Sequence, residues 1–364
     1  MTGVFETWLL EVGLLTMLAS LICCRALIMI APKDAPDSER KPQTIAVPSS
    51  GGIAFGAVAL SWAIYLVSVS ASGCPSSECS SQAAGSVSMV WPHLGLFLGA
   101  LILGGADDIF TLPAKPKFAL LIALAFMAVS FGTYAEGIFL PHFDSYVIIA
   151  SWIGIGGSAL WIFVMMNATN FMDGSNGLSL GTLSIMIAAI SLALYGQANE
   201  GTFDKAQFGA SIFGALTVAA ILGFLFWNLQ GRLYAGDAGS LFGGAVFASL
   251  GIYAAQDGNI WFPATLALPI LVDVFMTLLW RARRGHNLLT PHRHHAYQLL
   301  IRSGWGHIKT ALLWWALGVL CAGSALWAAA DSKSMSAWMF FGLLGAGCLL
   351  WYMQRRHFRD LSEQ

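Results

Sequence analysis

The stretch YVIIASWIGIGGSALWIFVMM, residues 146–166, runs 21 positions without a charge and leads directly into NATNFMDGSNGL, residues 167–178. A helix needs about 20 apolar residues to cross the hydrocarbon core of a bilayer. The first segment is therefore a predicted membrane span. The second, with Asn and Gly around Asp173, is a predicted polar turn where that span meets water. This pairing decides the fold, because it recurs.

Further apolar runs lie at approximately 5–31, 51–72, 89–105, 117–135, 177–196, 208–227, 239–255, 260–280, 309–329 and 335–353, eleven spans in all with 146–166. The connecting segments carry nearly all the charge. Composition agrees: 57% of residues are hydrophobic and 10% charged, against roughly 25% charged in soluble domains. Mean hydropathy is +0.69. Backbone polar groups in lipid must be satisfied within their own segment, so the spans are helical. The expected fold is an all-α, polytopic integral membrane protein, with residues 1–364 forming a single transmembrane domain and no internal repeat. The first run holds Glu6 and Glu11 and follows no basic segment, which reads as a retained helix rather than a cleaved signal. A net charge of −1 excludes nucleic acid as a bulk electrostatic partner and leaves membrane lipid as the surroundings.

Lys and Arg set the orientation. One set of alternate loops holds Lys33, Arg40, Lys41, Lys115, Lys117, Arg232, Arg281, Arg283, Arg284, Arg293, Arg302, Lys309, Arg355, Arg356 and Arg359. The other holds only Lys205 and Lys333. The basic side is expected to be cytoplasmic, with the N-terminus outside and the C-terminus inside. On the outer side, Cys74 and Cys79 are either a disulfide or two free thiols. The four other cysteines lie in apolar spans and read as packing residues.

Carboxylates near a membrane are costly unless paired or bound to a cation, and here they recur at span ends on the basic side. Residues 104–108 read Gly-Gly-Ala-Asp-Asp, residues 236–240 read Gly-Asp-Ala-Gly-Ser, and Asp173 sits in the 167–178 turn. Asp273 lies within the ninth span near the same side. Singly, each is an ordinary cap or solvated helix end. Together on one face, Asp107, Asp108, Asp173 and Asp237 would repel one another unless protonated or bridged by a divalent cation. Oxygen donors without Cys favour magnesium, with manganese the other cation they suit. Asp237 also precedes a helix start, whose N–H groups can take an anion. The 281–297 segment, RARRGHNLLTPHRHHAY, adds Arg and His donors. Positive-inside bias accounts for Arg281, Arg283 and Arg284. The cluster of His292, His294 and His295 suits a phosphate clamp better than a metal site.

In this order the motifs resemble the polyprenyl-phosphate N-acetylhexosamine-1-phosphate transferase family, glycosyltransferase family 4, from about residue 32 to 300. The resemblance rests on Arg40-Lys41 with Pro48 through Gly52, Asp107-Asp108 followed by Leu112 through Phe118, Asn167 through Leu178, Asn228 with Gly236 through Ser240, and His292 through Gln298. It implies active-site loops at 32–50, 105–117, 167–177, 228–238 and 281–308. It also implies a multi-pass protein of the bacterial inner (plasma) membrane whose site faces the cytoplasm. The implied reaction moves a sugar-1-phosphate from a UDP-N-acetyl sugar to undecaprenyl phosphate, releasing UMP. Dimerisation is common in that family, although no homodimer interface is legible here.

Residue by residue, the resemblance makes Asp237 the main magnesium ligand, with Asp107 and Asp108 flanking metal and lipid phosphate. One of that pair would serve as base or as nucleophile. Asn170 and Asp173 would line the nucleotide-sugar pocket, with Asn167, Asn176 and Asn228 nearby, and Lys117, Arg40 and Lys41 would neutralise phosphate. His295, with His292 and Arg293, would contact the diphosphate or the sugar. The chain departs from the family at Asn176, usually Asp, at Gln43, often His, and at Ala46, often Pro. Asn cannot act as a base or strong metal ligand, so altered sugar or nucleotide recognition is expected. The form His292-Arg293-His294-His295-Ala296-Tyr297-Gln298 resembles the branch that starts O-antigen and other surface polysaccharides. A flippase or transporter, and a catalytically degenerate homologue, are the rival readings.

Overall fold

The computed structural model describes residues 2–31, 47–72, 77–199, 205–288, 290 and 292–358. Arg40, Lys41 and Cys74 lie outside these residues, as does the side chain of Cys79. Eleven long helices account for most of what is described: α1 (Thr2–Ile30), α2 (Gly51–Ser72), α3 (Ser77–Phe110), α4 (Ala114–Phe131), α5 (Ser151–Phe171), α6 (Leu178–Asn199), α7 (Lys205–Asn228), α8 (Gly236–Ala254), α9 (Trp261–Arg283), α11 (His307–Asp331) and α12 (Lys333–His357). Between them stand a two-stranded hairpin, β1 (Gly137–Leu140) and β2 (Ser145–Ile148), and a short helix α10 (Ala296–Arg302). Ten of the helices are long and apolar enough to cross a membrane. The outer surface carries the matching signature, with Leu10, Met29, Phe131, Trp152 and Leu160 all more than 60% exposed. An apolar surface of that extent belongs in lipid. The protein is a polytopic all-α membrane protein.

The eleventh long helix, α8, is the centre of the bundle. At about 28 Å it matches the hydrocarbon thickness, but its Gly, Ser and Asp content lowers its hydropathy. Every residue from Ala238 to Ala254 is buried, under α2, α3, α5 and α6. Small residues make this possible. A Cβ on Gly244 would stand 2.7 Å from Met165 O and from Met166 Cα of α5.

Three boundaries differ from the sequence reading. The apolar start of the predicted 146–166 span belongs to β2, which pairs antiparallel with β1 in the register Gly137↔Ile148. Phe139 N–H donates to Gly258 O at 3.0 Å and Trp261 Nε1 to Phe139 O at 2.8 Å, tying the hairpin to the bundle. Helix α5 consequently starts later and runs on to Phe171, so Asn167 and Asn170 are helical. Helix α3 likewise extends past the predicted 105 to Phe110, placing Asp107 and Asp108 in its last turn. Polar residues are tolerated there because facing helices satisfy them.

The close approach of α5 and α8 yields a test. Gly244→Leu should destabilise the protein by about 1–3 kcal/mol through overpacking, read as a lowered melting temperature in detergent. Gly156→Leu, whose Cβ would meet nothing within 4 Å, should leave the melting temperature unchanged.

Candidate active site

The alternating helices bring the C-terminal ends of α3, α5, α7, α9 and α12 to the same end of the bundle as the N-terminal ends of α2, α4, α6, α8 and α11. There the predicted acids meet. Asp107 accepts from Leu112 N–H at 2.6 Å through Oδ1 and from Lys117 Nζ at 2.8 Å through Oδ2. Lys117, at the start of α4, also donates to Asp237 Oδ2. Asp237, in the first turn of α8, is held on its other oxygen by Asn170 Nδ2 of α5 at 2.8 Å. The same amide reaches Ser240 Oγ at 2.9 Å. Four helices thus contribute to one polar knot, which is partly open to water: the Asp107 and Asp237 side chains are 16% and 27% exposed.

Asp108 has a different environment. Its Oδ1 accepts from Asp237 N–H at 2.7 Å and its Oδ2 from Ala238 N–H at 3.2 Å. A carboxylate from the end of one helix therefore caps the start of another, where unpaired N–H groups and the helix dipole favour negative charge. Gly236 makes room for it. Its φ of +68° suits glycine, and a Cβ there would collide with Ser49 O and Asp108 Oδ2.

Three carboxylates against one ammonium leave a formal excess of two negative charges. Among the described residues no three His, Cys, Asp or Glu side chains converge as a ready-made metal cage. The direct donors are two, Asp107 and Asp237, and the Lys117 ammonium sits between them at the place a cation would share. That donor set fits magnesium, which commonly takes one or two carboxylates and completes its shell with water and substrate phosphate.

The 167–178 segment is only partly directed at the acids. Asn167 Nδ2 donates to Phe163 O at 2.7 Å within its own helix. Asn228 serves as a clamp: Oδ1 accepts from Gly177 N–H at 2.6 Å and Nδ2 donates to Leu233 O at 2.9 Å. Asn176 lies beside Gly231. Ser175 Oγ and His307 Nδ1, at the start of α11, are 3.0 Å apart. Asp173 N–H donates to Asn170 O at 3.2 Å.

The histidine turn adjoins this segment. Tyr297 Oη donates to Phe171 O at 3.2 Å, and His295 stacks 6.3 Å from the Phe171 ring. His295 is 2% exposed, with Nδ1 3.4 Å from Asp273 Oδ1. Asp273 caps α10, accepting from Ala296 N–H at 2.7 Å and Tyr297 N–H at 3.3 Å. Its role, and those of Ser240 and His307, went unread in the sequence. Asp273 gave one signal, a charge inside a span. His292 and Arg293 are half-buried and closer to water than His295. His294 N–H points to His292 Nδ1 at 3.4 Å, which leaves the proton of neutral His292 on Nε2.

Burial, then the charges of His295, Arg281, His294 and Arg355, pushes His292 down to about 3. Burial, then Arg281, Arg355, His286 and Arg302, pushes His294 down to about 4. The unfolded chain binds protons near the ordinary histidine value of about 6.5, and the folded turn refuses them. Stability is therefore full above that value and declines as pH falls toward 4. The melting temperature should drop between pH 7 and pH 5, and the His292→Gln/His294→Gln variant should lose part of that drop.

Parts of the chain are similar to known proteins. Residues 90–255 match the glycosyl transferase family 4 model. A probable undecaprenyl-phosphate N-acetylglucosaminyl 1-phosphate transferase of Bacillus subtilis (strain 168) is 27% identical over 255 residues, 68% of this chain and 66% of that protein. Phospho-N-acetylmuramoyl-pentapeptide-transferases of Bacillus thuringiensis (strain Al Hakam) and Bacillus mycoides (strain KBAB4) are 31% identical over 228 and 218 residues. These alignments cover 58% and 56% of this chain and 63% and 60% of those proteins. The chain thus spans somewhat under two thirds of the length of these relatives. The resemblance is borne out over residues 90–255, which hold the motifs at 107–118, 167–178 and 228–240; those at 40–52 and 292–298 lie outside that match.

Proposed function

We propose that this protein transfers a sugar-1-phosphate from a UDP-N-acetylhexosamine, or a 6-deoxy relative, to undecaprenyl phosphate, and so initiates an O-antigen or other cell-envelope glycan. The observation that carries the reading is the shared position of Lys117 between Asp107 and Asp237, at the open end of a membrane bundle. The names of the similar proteins support the reaction class. The excess of Lys and Arg at this end supports a cytoplasmic site with the C-terminus inside.

Asp107 and Asp237 would hold magnesium, which when bound neutralises the diphosphate and the departing nucleotide. Asn170 fixes the Asp237 carboxylate. Asp107 takes the proton of the lipid phosphate as Lys117 turns from the carboxylates to phosphate oxygen. The lipid phosphate oxygen then bonds to the β-phosphorus of the UDP-sugar, and the bond from that phosphorus to the bridging oxygen breaks, releasing UMP. Asp108 keeps α8 and Asp237 in register, and His292 Nε2 and Arg293 donate to the diphosphate. His295, packed behind them on Asp273, supports the turn. A transporter would place its carboxylates near the middle of the bundle, whereas these stand in the last turn of α3 and the first turn of α8.

Purified protein in detergent, given undecaprenyl phosphate and a panel of UDP-N-acetylhexosamines, should release UMP from one donor in a lipid- and magnesium-dependent way. Asp237→Asn should cut kcat by about a hundred- to a thousandfold. Folded protein that releases UMP from no donor would overturn the reading.

A further inference from the structure

Two adjacent side chains of α12 grip the backbone on either side of His295. Gln354 Nε2 donates to Ala296 O at 2.8 Å, and Arg355 Nη1 donates to His294 O at 2.6 Å. From the opposite side α9 holds the same turn. Asp273 takes the N–H groups of Ala296 and Tyr297, and Arg281 Nη1 lies 2.9 Å from His294 Nδ1. The Arg355 guanidinium stacks 3.7 Å from the Trp280 ring centroid, an arrangement that suits the planar cation.

Arg355 is costly to keep. It is 6% exposed, and its Nε and Nη2 groups are buried without an acceptor among the described residues. Each such group carries a desolvation cost that an apolar side chain of similar volume would not. Stacking on Trp280 offsets part of that cost, and the directed bond to His294 O is what an apolar side chain could not supply. Both residues lie outside the segment that matches the family model, and in the sequence Arg355 reads only as positive-inside charge.

We infer that Gln354 and Arg355 are positioning residues: α12 fixes the 292–295 turn so that His292 and Arg293 meet the substrate diphosphate. The inference rests on the proposed transfer reaction. A misplacement of about 1 Å can cost a hundredfold in rate, so holding two carbonyls of this turn is sufficient to matter.

The test is a double-mutant cycle combined with hydrogen exchange. Gln354→Leu and Arg355→Met should each lower kcat about tenfold or more, with KM for the lipid phosphate unchanged. In a His292→Ala/Arg293→Ala background the same changes should cost less than about twofold, because residues acting through one turn are not additive. Arg355→Lys, which can still donate to His294 O, should recover part of the rate. Amide exchange over 292–298 should quicken in Gln354→Leu and Arg355→Met, whether or not a donor sugar has been found. Equal losses in both backgrounds, or unchanged exchange, would overturn the inference. An inactive wild-type protein whose exchange responds as expected would instead count against the transferase reading and leave the grip of α12 standing. If Arg355→Met fails to fold, Gln354→Leu, which removes a single hydrogen bond, carries both measurements.

Discussion

The ammonium of Lys117 stands between two carboxylates from different helices, and the open end of the bundle is arranged around that contact. Asp107 ends α3, Lys117 begins α4 and Asp237 begins α8. Carboxylates brought this close would repel strongly in a medium of low dielectric. One cation makes their approach tolerable, and a divalent cation arriving with a phosphate would serve the same purpose. The site is held ready by a group that substrate binding would release.

What ties α3 to α8 is the capping of α8 by Asp108. An acid at the C-terminal end of its own helix is unfavourably placed against the dipole. Here it is directed at the N-terminal end of a neighbour, where its two oxygens satisfy two N–H groups. Asp273 repeats the device at the other side of the site, capping α10 from within α9. Two carboxylates from different helices thus solve the same problem, the unpaired N–H groups of a helix start buried away from water.

The rest of the site is layered around this frame. Asn228 and Trp315 hold the 173–177 turn through Gly177, from α7 and α11 respectively. Gln354, Arg355 and Arg281 hold the histidine turn from α12 and α9. Much of the polar chemistry in the loops therefore orders loops, leaving fewer groups, among them Asp107, Lys117, Asp237, His292 and Arg293, to face a ligand.

The sequence by itself determined the membrane class, the number and order of the long helices, and the placement of Asp107, Asp108 and Asp237 at one end; Asp173, expected with them, lies in the turn held by Asn228 and Trp315. Apolar length and charge placement are local properties, and a bilayer turns them directly into topology. Tertiary structure alone decided which carboxylate caps and which is shared with lysine, since adjacent Asp107 and Asp108 are chemically identical until α8 presents its N–H groups to one of them. It also decided that Asn167 and Asn170 are helical, that Asn228 is a clamp and that His295 is buried, and it brought Arg355 beneath the histidine turn. Most of those outcomes depend on partners tens of residues away in the chain, such as Gly177 for Asn228 and His294 for Arg355, and such a hydrogen bond has no partner until the fold supplies one.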